Sequence, residues 1–399
     1  MSAAEVSPVL SRPELARLVA LASLEGIGPA TLLACLAGRC SAGAWDAVRS
    51  GHGRRVAPIA AAIDHRRRRE PDAEARLARD ASAVDPDALL DRHEAAGQHV
   101  AAYGTDGYPV RLLDDPAPPA VVFWSGSMTP LDGPTVAIVG TRNATRLGCE
   151  TAAKLAVELA DRGVSVVSGL ALGIDGAAHR ALVDRDVGGA PVGVIATGLE
   201  RAYPRQHQRL HRQVAGAGLL LSESPIGSEP TRWRFPARNR IIAGLADAVV
   251  VVESRSTGGS MLTASEAVAR DRTVLAIPGH PTSSSAAGTL DLIADGAVPV
   301  RDVTDVLVAI GLGGVPPIAT ALPSSAGEVV VSELAVRIHD LLGPNPSTLG
   351  ELVVASAAPL QAVSGALLEL ERSGLVSRSG AWFERCGSVE PRVHVRREP

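Results

Sequence analysis

The chain has 399 residues, 46% hydrophobic and 21% charged, with 40 Gly, 28 Pro and a formal net charge of −4. That length exceeds what one hydrophobic core usually accommodates and the apolar fraction excludes a disordered chain, so two or three globular domains are expected. No apolar run reaches the roughly 18 residues of a bilayer span, and no basic-then-apolar leader opens the chain, so a cytoplasmic protein without a membrane partner is expected. Cys35, Cys40, Cys149 and Cys386 are scattered, which leaves no metal site, disulfide framework or cofactor to expect. The weak negative charge argues against uniform coating of nucleic acid and says nothing of local patches. Lys154 is the only lysine, so any basic patch is made of arginine.

Residues 12 to 50 read as short helices, with Leu15, Leu18, Val19 and Leu21 and then Leu32, Leu33 and Leu36 at helical spacing. Between them, Leu24-Glu25-Gly26-Ile27-Gly28-Pro29-Ala30 fits two readings equally. One is an ordinary tight turn; the other is a helix-hairpin-helix-like element whose amides hold a DNA phosphate at a helix N-terminus. The charged, Ala-rich stretch from Arg54 to Arg79, with Arg66 to Arg69 at its centre, reads as a solvated helix or linker.

The middle of the chain repeats short apolar runs at 135–139, 164–167, 192–196, 218–221, 248–252 and 274–277, spaced for crossover helices. This pattern predicts a parallel sheet buried on both faces. The runs end in Gly140, Ser168-Gly169, Thr197-Gly198, Ser222-Glu223, Glu253-Ser254 and Pro278-Gly279, where open α/β sheets bind ligands. Beyond Val308 a Gly, Pro and Ser-rich stretch predicts a linker. Helical patterns near 332–342, 348–355 and 360–373, then a hairpin at 375–385, predict a winged helix-turn-helix.

Three segments carry candidate chemistry. The turn from Gly140 through Arg142 to Gly148 looks like an anion loop at a helix N-terminus, and it is neither a dinucleotide Gly-x-Gly-x-x-Gly nor a P-loop. In the turn from Ser168 to His179, Asp175 and His179 are four apart and read as a structural pair that shapes the loop. From Arg201 to Arg240, eight arginines face only Glu223 and Glu229, with Tyr203, Trp233 and Phe235 interleaved, a mix of phosphate ligands and stacking surfaces. The Gly/Ser turn from Glu253 to Thr263 adds further amides and hydroxyls suited to phosphate.

Tyr108-Pro109, Gly140-Thr141-Arg142, Ser168-Gly169-Leu170-Ala171-Leu172-Gly173-Ile174-Asp175, Tyr203-Pro204, Ser222-Glu223, Phe235-Pro236-Ala237-Arg238-Asn239-Arg240 and Pro278-Gly279 occur in order over about residues 108 to 300. Together they resemble the DNA-processing protein A (DprA/Smf) family. The resemblance implies an extended Rossmann-like core that binds single-stranded DNA, usually as a homodimer, and helps load RecA recombinase in natural transformation (competence) or DNA recombination. By the same resemblance the DNA path runs over Gly140, Arg142, Ser168, Gly169, Arg238, Asn239, Arg240, Gly259 and Ser260. Gly258 departs from the commoner Ser at the start of that turn, and Gly279-His280-Pro281-Thr282 is less typical.

The expected architecture is α/β: an N-terminal helical (SAM/helix-hairpin-helix-like) domain at 1–75, an extended Rossmann-like core at 76–310, a linker at 311–330 and a winged-helix-like domain at 331–399. The expected function is binding without catalysis. A rival reading is a nucleotide hydrolase of the lysine-decarboxylase-like Rossmann group, with Glu266 as its carboxylate in Gly258-Gly259-Ser260-x-x-Thr263-x-x-Glu266.

Overall fold

The protein is described from a computed structural model over residues 10–38, 41–67, 70–185, 188–313, 329–342, 347–373, 375–379, 382–385 and 393–395. It divides into two compact units, Met1–Thr320 and Ala321–Pro399.

The first unit begins with helices α1 (Arg12–Ser23), α2 (Pro29–Ala37), α3 (Ser41–Arg49), α4 (Ala57–Arg67), α5 (Ala73–Ser82) and α6 (Pro86–Ala95). A capping box of Ser11 and Glu14 starts α1, and Asp85 caps α6 by accepting from the amides of Asp87 and Ala88. Their apolar stripes close on one another, α1 on α6 and α3 on both α1 and α5, burying Leu18, Leu21, Trp45, Ile59, Leu77 and Leu90. The helical bundle therefore runs past the expected boundary at residue 75, because α6 and its buried Leu89 and Leu90 complete it.

The stretch expected to be a solvated helix or linker forms α4 and most of α5, mostly exposed or half-buried, and its Arg66 and Arg76 are engaged in ion pairs. Arg66 donates to the Glu25 carbonyl and pairs with Glu70 at 2.9 Å, while Arg76 reaches Glu25 at 2.6 Å and Glu70 at 2.9 Å. Gly26, at a φ of +104°, lies against the Arg66 guanidinium, so the turn between α1 and α2 is met by a cation from this chain. Arg68 and Arg69 lie outside the described residues.

The sheet follows with β1 (His99–Ala102), β2 (Val121–Gly126), β3 (Thr135–Val139), β4 (Ser165–Ser168), β5 (Pro191–Ile195), β6 (Leu219–Ser222), β7 (Ala248–Val251), β8 (Thr273–Ala276) and β9 (Val298–Pro299). Among the described residues its order is β1-β2-β6-β5-β4-β3-β7-β8-β9. The six expected runs are β3 to β8, and every pairing from β6 through to β9 is parallel. Strands β1 and β2 add an antiparallel edge, with Phe123 opposite Ser222.

Crossovers are made by α7 (Arg146–Ala160), α8 (Ile174–Arg180), α9 (Gln208–Ala217), α10 (Arg234–Leu245), α11 (Gly259–Val268) and α12 (Ala287–Ala294), and α13 (Val303–Ala309) follows the last strand. Alternate residues of one strand feed opposite cores, as a pleat requires: Val136 and Ile138 pack with Leu155 and Leu159 of α7, while Ala137 and Val139 pack with Ile241 and Leu245 of α10. From β3 the chain winds one way to β4 and β5 and later the other way to β7 and β8. The gap between β3 and β7 is thus the point where strand order reverses, and ligands of open α/β sheets bind outside the carboxyl ends there.

The second unit comprises β10 (Val329–Val331), α14 (Glu333–Leu341), β11 (Ser347–Thr348), α15 (Leu349–Ser356), α16 (Leu360–Arg372), β12 (Val376–Ser379), β13 (Trp382–Arg385) and β14 (Val393–Val395). Ile338, Leu352, Val363, Leu367, Leu370 and Phe383 form its core. Strands β12 and β13 pair antiparallel, which with the three helices gives the expected winged-helix arrangement. Most of the expected linker, residues 314–328, lies outside the described residues.

Candidate functional site

A crevice of about 810 Å³ opens where β3 and β7 end. The β3 turn enters it with Gly140, Thr141, Arg142 and Asn143, and the β7 turn with Arg255, Thr257, Gly258, Gly259 and Ser260. Gly140 is required by close approach: a Cβ there would lie 2.5 Å from the Ile174 side chain and 2.9 Å from the Glu253 carbonyl.

Three arginines, Arg142, Arg232 and Arg255, line the crevice and are exposed. Arg238 lies deeper, 7% exposed, with its guanidinium donating to the carbonyls of Gly169 (2.9 Å) and Val194. Burial lowers its pKa to about 10, so it stays charged at neutral pH. Its Nε has no hydrogen-bond partner among the described residues, an orphaned donor at the floor of a crevice rimmed by cations. Gly169 makes room for it: a Cβ there would lie 2.6 Å from the guanidinium nitrogens.

Two aromatic rings complete the lining. Tyr203 and Phe235 stand with centroids 5.2 Å apart, and the Arg142 guanidinium carbon is 5.3 Å from the Phe235 centroid. Trp233 is 54% exposed and is covered by Arg234 at 4.9 Å, so neither Phe235 nor Trp233 serves as a core anchor.

The helix N-termini around the crevice differ. At α7 the Glu253 carboxylate accepts from the Thr145 amide (2.9 Å) and the Thr145 hydroxyl (2.5 Å), and Thr145 in turn caps the Gly148 amide (2.9 Å). The turn read from sequence as an anion loop therefore has its helix N-terminus filled by a carboxylate of the same chain. At α11 no side chain caps the helix, and Gly258 and Gly259 face the crevice. Ser260 donates from its hydroxyl to Ser254 at 2.8 Å, which fixes the start of that helix.

Of the residues the sequence singled out, Gly140, Arg142, Arg238, Asn239, Gly259 and Ser260 all meet in the crevice lining. Ser168 and Gly169 stand behind it: the buried Ser168 hydroxyl donates to the Ile138 carbonyl at 2.6 Å, and Gly169 supports Arg238. Arg240 points elsewhere, into an ion pair with Glu223 and a 2.7 Å hydrogen bond to the Ala117 carbonyl. The reason is local: burial raises the Glu223 carboxyl, and Arg240 is the charge that offsets it.

Asp175 and His179 do not face one another as the expected pair. The Asp175 carboxylate accepts from the Gly169 amide at 3.0 Å, and burial raises its pKa. His179 is fully buried and held down at about 4 by desolvation. Asp175 thus holds the loop through Gly169 without His179, and His207 holds it as well, its Nδ1 meeting the Leu170 carbonyl at 2.9 Å while Nε2 meets Arg180 at 3.1 Å. Because arginine only donates, Nε2 accepts and Nδ1 carries the proton. Leu170 sits at a φ of +53°, a left-handed geometry that this hydrogen bond helps to hold.

The sequence marked Tyr203, Arg232 and Phe235 as part of a basic, aromatic segment suited to nucleic acid and Arg255 as part of a phosphate-suited turn, and did not single them out among the site residues. Their signal was position, each lying just beyond a strand's carboxyl end or at a helix start facing that end. Among the described residues no group of three or more His, Cys, Asp or Glu is placed to hold a metal, and no single helix is long and apolar enough to cross a membrane.

Fold and site together define an extended Rossmann-like protein with a basic, aromatic crevice at the sheet's switch point, preceded by helices and followed by a winged helix. A family model described as DNA recombination-mediator protein A matches residues 99–311, and one described as DprA winged helix domain matches 320–381. Protein Smf of Synechocystis is 33% identical over 339 residues, covering 76% of this chain and 84% of that protein. A putative DNA processing protein DprA of Mycobacterium tuberculosis is 42% identical over 248 residues, covering 62% and 63%. The X-ray structure of DNA processing protein A from Streptococcus pneumoniae matches with a TM-score of 0.56 at 29% identity, over 75% of this chain and 98% of that one. The chain belongs to the DNA-processing protein A family, whose description is that of a recombination mediator.

Proposed function

We propose that this chain binds single-stranded DNA in the crevice between the ends of β3 and β7. The observation that carries this reading is the convergence of Arg142, Arg232 and Arg255 with the Tyr203 and Phe235 rings on one open cavity. Guanidinium groups take phosphates, and flat rings take the faces of bases that a duplex keeps stacked inside. Arg142, Arg238, Asn239, Gly259 and Ser260 are the contacts proposed first, with Gly140, Ser168 and Gly169 shaping the turns beneath them.

In the same reading the protein acts in the cytoplasm as a homodimer that holds the strand extended and loads RecA recombinase on it, in transformation or recombination. The description of its family as a recombination mediator supports that role. The proposed working division keeps the winged helix at 331–399 and the linker at 311–330 apart from the DNA-binding core.

The hydrolase reading is not favoured. Glu266 does not line the crevice, and its carboxylate is held by Arg270 at 2.5 Å, which also pairs with the buried Asp115 at 2.7 Å. Fluorescence anisotropy with labelled single-stranded and double-stranded oligonucleotides tests the proposal, with an assay for nucleotide hydrolysis and RecA filament formation alongside. Preference for the single strand, intact nucleotides and faster filament growth are expected. Equal affinity for both DNA forms, or a hydrolysis product lost in Glu266→Gln, overturns it.

A further inference from the structure

We infer that Glu253 is a selectivity residue: its carboxylate takes the place of a ligand phosphate at the start of α7 and thereby keeps the crevice for internal phosphodiesters, refusing terminal phosphates and pyrophosphates.

In Rossmann-type sheets the turn after the first central strand delivers a pyrophosphate to the following helix N-terminus, where free amides and the helix dipole hold it. Here that strand is β3 and that helix is α7. The Glu253 backbone carbonyl accepts from the Thr141 amide at 2.7 Å, and its side chain accepts from the Thr145 amide at 2.9 Å and the Thr145 hydroxyl at 2.5 Å. One residue of β7's turn thus fastens both ends of the segment that carries Arg142 and Asn143. Gly148 in the first turn of α7 is what lets the carboxylate in, since a Cβ there would lie 2.4 Å from its carboxyl carbon and 2.7 Å from both oxygens.

The consequence is electrostatic as well as steric. A carboxylate in that position neutralises the positive end of α7 and repels a second anion. A dianionic terminal phosphate or a pyrophosphate meets the largest repulsion, because it needs the most amide donors in one place. A monoanionic phosphodiester needs fewer, and it finds them at Arg142, Arg255 and the uncapped start of α11. The anion seat common to this fold is thereby closed from within, and the basic residues are left on the crevice rim.

This inference rests on the proposed single-stranded DNA function for its ligand, but its first test needs no DNA. Isothermal titration with inorganic pyrophosphate is carried out on the full chain as wild type, Glu253→Gln and Glu253→Asp. Wild type and Glu253→Asp, which keeps the negative charge, are expected to show no saturable binding. Glu253→Gln, which keeps the size and loses the charge, is expected to show saturable pyrophosphate binding, at least fivefold tighter than the weakest binding the titration resolves. Glu253→Ala serves the same purpose should the Gln variant fail to melt cooperatively.

A second arm compares decanucleotides with a 5′-phosphate and with a 5′-hydroxyl. Wild type is expected to bind both within twofold, and Glu253→Gln to prefer the phosphorylated end at least fivefold. Pyrophosphate binding by wild type equal to that of the folded Gln variant overturns the inference, as does an unchanged refusal in both Gln and Ala variants. Failure of DNA binding by every protein, with the pyrophosphate gain intact, would instead count against the DNA function alone.

Discussion

The guanidinium of Arg142 and the ring of Phe235 meet at 5.3 Å, so a phosphate ligand and a stacking surface enter the crevice as one unit. The ring also touches Tyr203, with centroids 5.2 Å apart, which extends the flat surface across the opening.

Replacing Phe235 with Ala is therefore expected to weaken single-stranded DNA binding by about 1–3 kcal/mol, the usual value of one stacked base. The salt dependence of binding should change little, because no phosphate contact is removed. Titrations at three salt concentrations check both parts, and a weakened affinity that vanishes at high salt would point to charge instead.

Arg142→Ala, Arg232→Ala and Arg255→Ala are each expected to flatten the plot of log affinity against log salt by about 0.7. Arg240→Ala should leave the slope unchanged, since its guanidinium is taken by Glu223 and the Ala117 carbonyl. Its effect is on stability. Glu223 would be left buried without its cation, a loss of about 3–5 kcal/mol measurable by urea denaturation. A slope change in Arg240→Ala would return that residue to the DNA path.

His211 provides a pH test of the fold. It is 7% exposed, and desolvation lowers its pKa to about 4. In the unfolded chain it binds protons at its ordinary value near 6.5, so the folded state is disfavoured as pH falls from 6.5 toward 4. Stability should fall by up to about 1.4 kcal/mol per pH unit through that window on account of this residue. His211→Leu should lose that component, leaving the variant less sensitive to acid than wild type. Parallel pH curves for the two proteins would contradict the burial argument.

Removal of residues 321–399 should leave a cooperatively melting first unit with its crevice intact, because the second unit has its own core of Ile338, Leu352, Leu367 and Phe383. Removal of residues 1–95 should not be tolerated. It would strip the helices from Phe123, Leu199, Leu210 and Leu220, which share one core with them. Calorimetry of the two truncations distinguishes these outcomes.

The parallel strands β3 to β8 were legible because each is an apolar run closed by a small or polar residue. Strands β1, β2 and β9 were not foreseen: β1 (His99–Ala102) pairs with β2, β2 (Val121–Gly126) joins the sheet only through the distant β6, and β9 is two residues long, so no local pattern announces them. The crevice was legible in its backbone turns and less so in its side chains. Whether an arginine turns toward the ligand or into an ion pair depends on its place around the helix and on which acid folds beside it: Arg238 and Arg240, two positions apart on α10, point to different sides, one to the Gly169 carbonyl and the other to Glu223. The filling of α7's N-terminus by Glu253 spans a separation of 108 residues and has no sequence signature.

The core shared between the N-terminal helices and the sheet has a consequence for synthesis. Helices α1 to α6 emerge first, yet the core they join includes Leu210, Val214 and Leu220. At about 5–20 residues per second, roughly 6–25 seconds separate Ala95 from Leu220 on the ribosome. During that interval the bundle presents an apolar surface that only later chain can cover. The first unit is thus completed from the middle of the chain backward, and its earliest segment is among the last to reach its final surroundings.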